Sequence, residues 1–303
     1  MASSRPALSQ APFVASLDTD EQTANRLADA FLDRFGGESG VSIVDAGGGR
    51  WCLTLYVGHA IDAAAARDLA AIAGPAAPAL RFERIAAADW VQKSLAGLKP
   101  VAAGRFVVHG AHDRARVAPN RIGIEIEAAL AFGTGHHGTT RGCLLALDAM
   151  CKAHDTRRIP APRVLDLGSG SGVLAIAAAR ALRLPVLATD IDPQAVRAAR
   201  GNARRNGAGP LVEVVRADGV AALHGRGPFD LVFANILLAP LQRLATPLTQ
   251  LAAPGARVVL SGILAAQANA IIAAYHRLTL QQRIDIDGWT TLVFTRPATL
   301  PSR

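Results

Sequence analysis

From Arg163 onward the chain alternates apolar strands with apolar helices, and no other feature restricts its fold as strongly. The strand segments are RVLDLG, PVLATDI, LVEVV, FDLVFANI and ARVVLSGI. The helical ones are GVLAIAAARAL, PQAVRAARGNARRNG, APLQRLATPLTQLAA and AAQANAIIAAYHR. Alternation of this kind predicts a parallel sheet covered by helices on both faces. Two closing strands, LQQRIDI and TTLVFTR, have only a short turn between them, so they pair antiparallel at one edge. The fold class is α/β, with a mostly parallel sheet of seven strands.

A different order governs Phe13 to Ala86. FVASLD reads as a strand, DEQTANRLADAFLDRFGG as an acid-started helix closed by glycines, and VSIVDAGGGRWCLTLYVG as two strands around a glycine turn. A second helix, DAAAARDLAAIAG, and a last strand, LRFERI, complete a βαββαβ unit of ferredoxin-like, split βαβ type. No helix follows Gly47 to Gly49, so that triplet reads as a hairpin turn rather than a phosphate loop. Between Asp89 and Ala131, short runs are punctuated by Trp90, Pro100, Gly104, Gly110 and Pro119. They read as a linker helix followed by an entry hairpin formed by GRFVVHG and IGIEIEA.

At 303 residues and 50% hydrophobic content the chain can bury two cores. Three cysteines, Cys52, Cys143 and Cys151, are too few and too odd in number for a disulfide framework. The start carries no apolar run of signal-peptide type, and no charge-free run reaches membrane-spanning length. The expectation is a cytoplasmic protein with no membrane association. A net charge of +8 permits contact with RNA, but scattered arginines also arise as solvated surface.

Chemistry concentrates in VLDLGSGSGVLAIAAA, where a strand meets three glycines and a helix. Gly168, Gly170 and Gly172 are spaced G-x-G-x-G, and Val173 stands where a dinucleotide fingerprint would place its third glycine. The first two glycines still allow close backbone approach, and the helix start still favours a negative group. Asp190 ends the next strand at roughly the 20-residue distance where an acid meets a ribose hydroxyl pair. It could instead cap the helix before Pro193, but Asp192 fits that role better. Asp166 adds a carboxylate beside the turn. That charge opposes a pyrophosphate but suits a cationic amino-acid nucleoside, so S-adenosylmethionine is the cofactor these residues fit.

The glycine turn, the acidic strand end and the closing strand pair resemble a Rossmann-like class I methyltransferase domain. Three further stretches, AFGTGHHGTTRGCLLAL, FANILLAPL and LSGIL, resemble the ribosomal protein L-eleven methyltransferase (PrmA) family. The resemblance implies residues 1–88 as a ferredoxin-like substrate-recognition domain, residues 89–131 as linker and entry hairpin, and residues 132–303 as the methyltransferase domain. It further implies that Thr140, Gly168, Gly170, Asp166, Asp190 and Asn235 serve the cofactor, with Phe132, Thr134 and His137 in a loop closing over it. Asn235 is the candidate to orient the incoming amine. Its neighbours Ile236, Leu237 and Leu238 replace the two prolines and aromatic residue of related amino-methylating enzymes, which favours a flexible aliphatic amine over a planar one. The implied substrate is large-subunit ribosomal protein eleven, free or ribosome-bound, and the expected state is a monomer. Ser169, His136 and Gly138 depart from residues the family often has, namely cysteine, threonine and proline.

Other residues carry competing readings. His136, His137, Cys143, Cys151 and His154 match no metal-finger spacing, so no metal is expected and Cys143 reads as core. His109 and His112 read as solvated turn residues. Arg197, Arg200 and Arg204 share one helical face, either RNA-contacting or merely exposed. Glu125 and Glu127 share one strand face, which could attract a lysine or simply face water. Alternative functions are an RNA or other protein N-methyltransferase, a nicotinamide-dependent oxidoreductase, and a non-catalytic binding module. The displaced third glycine and the acidic first unit weigh against the oxidoreductase and the RNA enzyme respectively.

Overall fold

The computed structural model describes residues 13–35, 39–57, 61–84, 100–126, 138–153 and 162–298. The chain divides into two compact units, Met1–Ala96 and Gly97–Arg303. The first contains β1 (Phe13–Thr19), α1 (Glu21–Phe35), β2 (Ser39–Gly47), β3 (Arg50–Val57), α2 (Ala63–Ala73) and β4 (Glu83–Arg84). Their sheet order is β2-β3-β1-β4 with antiparallel neighbours, the split βαβ arrangement that the alternation predicts. Gly47, Gly48 and Gly49 all adopt positive φ, so this triplet is the β2–β3 turn. Asp62 caps α2 by accepting from Ala65 N at 2.7 Å. Leu17, Leu27, Phe31, Leu53, Leu55 and Leu69 form this unit's buried core.

The second unit opens with β5 (Val101–Ala103), β6 (Phe106–His109) and β7 (Ile122–Glu125). Here the structure corrects the expected entry hairpin, because GRFVVHG and IGIEIEA supply β6 and β7, which pair in parallel. A parallel neighbour needs a crossover, and the stretch from Gly110 to Arg121, with a 3-10 turn at Ala111–Arg116, provides it. The hairpin is β5 with β6, turning at Gly104 with φ +59°. The expected linker helix lies outside the described residues.

Then follow α3 (Gly138–Ala153), β8 (Val164–Leu167), α4 (Val173–Leu182), β9 (Val186–Asp190), α5 (Pro193–Arg205), β10 (Val212–Arg216) and β11 (Phe229–Asn235). The chain continues through α6 (Leu238–Arg243), α7 (Ala245–Leu251), β12 (Ala252–Leu264), α8 (Ala268–Ala274), β13 (Thr279–Ile286) and β14 (Trp289–Thr295). The seven strands lie in the order β10-β9-β8-β11-β12-β14-β13. Pairings from β10 through β12 are parallel, and β14 is antiparallel to both β12 and β13. The antiparallel edge pair is therefore present, with the reversed strand lying second from the edge. That position agrees with burial: β14 is buried along most of its length and β13 is largely exposed.

Successive strand residues point to opposite faces. Val164, Leu231, Phe233, Val259 and Val293 pack with α3, α4 and α5. Leu165, Val232, Ala234, Val258, Leu260, Leu292 and Phe294 pack on the other face, with Leu241, Leu248, Ile271 and Tyr275 of the remaining helices and the residue that follows α8. The segment APLQRLATPLTQLAA, read as one helix, is two. Pro247 lacks the N–H that would continue α6, and it is tolerated in the first turn of a new helix.

Phe233 is fully buried two residues before Asn235. Replacing it by Ala should lower stability by about 3–5 kcal/mol in urea unfolding, because the sheet cannot collapse around the lost ring.

Candidate active site

Strand register assembles the site. Leu167 pairs with Thr189 on one side and Ala234 on the other, and Ala234 pairs with Leu260. The next residue on each strand therefore falls into one row across the carboxyl ends: Asp190, Gly168, Asn235 and Ser261. The connections leave β8 in opposite directions, toward β9 and β10 on one side and β11 and β12 on the other. This is the switch point where open α/β sheets bind ligands.

In the turn after β8, Gly168, Gly170 and Gly172 have φ of +69°, +52° and +78°. A Cβ on Gly172 would lie 3.0 Å from Ala199 Cβ, so the third glycine serves helix packing. The turn is held by Ser169 N donating to Thr189 O at 2.8 Å and Gly172 N donating to Ser169 O at 2.7 Å. Asn202, buried on α5, donates from Nδ2 to Ser171 O at 2.8 Å. Asp190 accepts from Gly170 N at 2.8 Å with one carboxylate oxygen and from Asp192 N at 3.0 Å with the other. Asp192 is the α5 cap, accepting from Gln194 N at 2.8 Å. Asp190 thus stays half-buried at the strand end, with lone pairs left for a ligand.

Asp166 lies beneath the turn, 1% exposed, and accepts from Ala175 N at 2.9 Å. Burial pushes its pKa up to about 7; the Ala175 N–H opposes this and the Asp190 charge adds to it. The hydroxyls of Ser169 and Thr189 are buried without a hydrogen-bond partner among the described residues. Left-handed glycines, a helix start, two carboxylates of different burial and these hydroxyls fit a nucleoside with a cationic amino-acid tail.

On the other flank, Asn235 Nδ2 donates to Thr140 Oγ1 over a long 3.5 Å. Thr140 is fully buried in the first turn of α3. A polar seam backs this contact: Ser261 Oγ lies 2.8 Å from Thr291 Oγ1 and donates to Thr290 O at 3.1 Å. Gly142 lets α3 press onto that seam, since a Cβ there would lie 2.2 Å from Thr291 Oγ1. A Cβ on Gly138, one of the departures noted in the sequence, would fall 2.4 Å from Ile286 O. The missing side chain is what this close approach requires.

Asp166, Gly168, Gly170, Asp190, Thr140 and Asn235 are therefore all at this rim. Phe132, Thr134 and His137 lie outside the described residues, as do His136, Glu127 and His154. His109 is buried rather than solvated, its Nδ1 lying 2.8 Å from Gly110 O. Glu125 is not a free acidic face: it is buried and paired with Arg114 at 2.6 Å. Sequence reading passed over Gly262, Ser261 and Asn202. Gly262, inside the strand LSGIL at φ +88°, carried a usable signal, since an isolated strand glycine marks close backbone approach. Asn202 had none, because a polar helix residue normally faces water.

Residues 51–297 match the family described as "Ribosomal protein L11 methyltransferase (PrmA)". A relative named ribosomal protein L11 methyltransferase from Rhodopseudomonas palustris (strain BisB5) is 52% identical over 91% of this chain and 95% of its own. One of the same name from Bradyrhizobium diazoefficiens is 50% identical over 91% of this chain and 94% of its own. A solved structure described as ribosomal protein L11 methylase from Lactobacillus delbrueckii subsp. bulgaricus aligns with TM-score 0.56 and 28% identity, covering 66% of this chain and all of the other.

Asp166 gives the site a pH signature. Its folded pKa of about 7 lies above the ordinary 3.8, so the folded chain binds the extra proton between those values. Its contribution is fully present near pH 4, is lost as pH rises to about 7 and is flat above. Asp166→Asn should remove this segment, making the variant more stable relative to the parent at pH 7.5 than at pH 4.5, by up to about 3 kcal/mol in paired urea titrations.

Proposed function

The chain belongs to the ribosomal protein L11 methyltransferase family, and from that premise we propose that it methylates amines of ribosomal protein L11, with S-adenosylmethionine as donor. The enzyme is an S-adenosylmethionine-dependent methyltransferase. The observation that carries the finer reading is the row Asp190, Gly168, Asn235 at the carboxyl ends of three adjacent strands.

Asp190 offers its remaining lone pairs to the ribose hydroxyls, and the glycine turn lets backbone approach the amino-acid tail. Asp166 lies beneath the turn with its pKa pushed up by burial, so a cationic tail above it would draw it toward its charged form, whereas the pyrophosphate of a nicotinamide dinucleotide would gain nothing from it. Phe132, Thr134 and His137 close over the cofactor, and Thr140 supports it from the first turn of α3. When bound, S-adenosylmethionine supplies an electrophilic methyl on a sulfonium. The protein's task is alignment: Asn235 accepts an N–H of the neutral amine and turns its lone pair along the line of displacement. Alignment of this kind lowers a barrier by up to about 7–11 kcal/mol. A lysine must first lose its proton, which an apolar surround favours; Leu237, 61% exposed two residues beyond Asn235, supplies apolar surface there.

We assign substrate recognition to residues 1–88, the linking segment to residues 89–131 and catalysis to residues 132–303, the enzyme acting as a cytoplasmic monomer. Among the described residues no helix is long and apolar enough to cross a membrane.

Incubation with L11 and S-adenosylmethionine should add methyl groups to L11, read by mass spectrometry; no incorporation defeats the assignment. Asp190→Ala should weaken cofactor binding in calorimetry by at least roughly 1.5–3 kcal/mol, since charge-assisted hydrogen bonds are lost and the turn loses its anchor. A fragment spanning residues 97–303 should bind S-adenosylmethionine as the whole chain does yet lose most L11 methylation. Full methylation by that fragment would remove the recognition role from the first unit.

A further inference from the structure

The residue after Asn235 is held from both sides by glycines. On the β8 side, a Cβ added to Gly168 would lie 2.4 Å from Ile236 Cγ2, so the isoleucine methyl occupies the space a side chain would need. On the β12 side, a Cβ on Gly262 would lie 2.3 Å from Ile236 O, 2.7 Å from its C and 2.9 Å from its N. Ile236 N also donates to Ser261 O at 3.2 Å. Both glycines have positive φ, +69° and +88°, which other residues adopt at a cost. One step further, Leu237 is exposed. Ile236 is thus the last residue of this strand end to be gripped by its neighbours.

We propose that Ile236 is a positioning residue for methyl transfer, its β-branched side chain seated against Gly168 of the cofactor turn and its backbone against Gly262 of β12, so that the Asn235 carboxamide is fixed relative to the methyl donor. The inference rests on the reading of Asn235 as the amine-orienting group. The shared peptide between the two residues transmits the wedge: if Ile236 rotates or slides, the plane carrying Asn235 moves with it. Shape matters here beyond bulk. A β-branched side chain is stiff about its first torsion and carries Cγ2 directly on Cβ, where Gly168 receives it. Leucine has the same volume but its branch lies one carbon further out.

The test compares Ile236→Leu, Ile236→Val and Ile236→Ala in the full chain. S-adenosylmethionine affinity is read by calorimetry, kcat and KM on L11 by methyl incorporation, and folding by thermal unfolding. Valine keeps Cγ2 and should stay within about twofold of the parent in kcat, whereas leucine and alanine should lose about tenfold or more, since small misplacements are costly to alignment. Cofactor affinity should change by no more than about threefold, because the turn keeps its own hydrogen bonds, and KM for L11 should hold. A volume-conserving swap is normally tolerated; if the leucine variant fails to fold, the valine and alanine pair carries the comparison. A leucine or alanine variant with parental kcat overturns the proposal. So do equal losses in valine and leucine, or a loss of affinity that accounts for the loss of kcat. Asn235→Ala, run alongside, separates the two readings: parental turnover there defeats the amine-orienting role itself, while loss there and none at Ile236 defeats only the wedge.

Discussion

Everything at the site depends on parallel register. Four neighbouring strands run the same way, so their carboxyl ends meet at one rim, and hydrogen bonding aligns residue with residue across them. Asp190, Gly168, Asn235 and Ser261 come from widely separated parts of the chain and become neighbours only because Thr189, Leu167, Ala234 and Leu260 pair in sequence. A one-residue slip in any of these strands would turn its inward residues to the opposite face. The apolar residues filling both faces of the sheet therefore hold this row in place as well as stabilising the fold.

The two acidic residues beside the glycine turn are set to different tasks by their surroundings. Asp190 sits half-buried and spends one hydrogen bond from each carboxylate oxygen on the loop it anchors. Asp166 is enclosed, holds a single backbone N–H, and carries a proton more readily than an ordinary carboxylate. A cation arriving at this turn would favour the charged form of Asp166, against the burial that raises its pKa. The turn keeps its shape through its own hydrogen bonds and through Asn202 from the neighbouring helix.

Close approach is the recurring device around this rim. Gly142 brings α3 onto Thr291, Gly138 brings its first turn onto Ile286 O, and Gly262 brings β12 onto the backbone of Ile236. Each replaces a side chain by direct contact, and the seam of Ser261, Thr290 and Thr291 satisfies the polar groups so enclosed. Asn206 adds a further tie, exchanging hydrogen bonds with the backbone of Glu125 at 2.8 and 2.7 Å. Glu125 and the first turn of α3 at Gly138 are thus each held against the rest of this unit.

Local chemistry made much of this molecule legible in the sequence. Alternating strands and helices dictate a parallel sheet, the triple glycine a hairpin, the glycine turn and Asp190 a tied pair of strand ends, and Asp192 before Pro193 a helix cap. Each of these signals lies within a few residues or recurs with the period of one element. Other features were settled only when distant segments met. The parallel pairing of β6 with β7 depends on a crossover whose turn chemistry resembles a hairpin's. Burial of Glu125 goes with its pairing to Arg114. The seat of Ile236 between Gly168 and Gly262 needs three strands, two of them absent from its own neighbourhood in sequence. Sequence determines which backbone conformations and faces each segment prefers; only tertiary packing decides which backbones come close enough that a single Cβ would not fit.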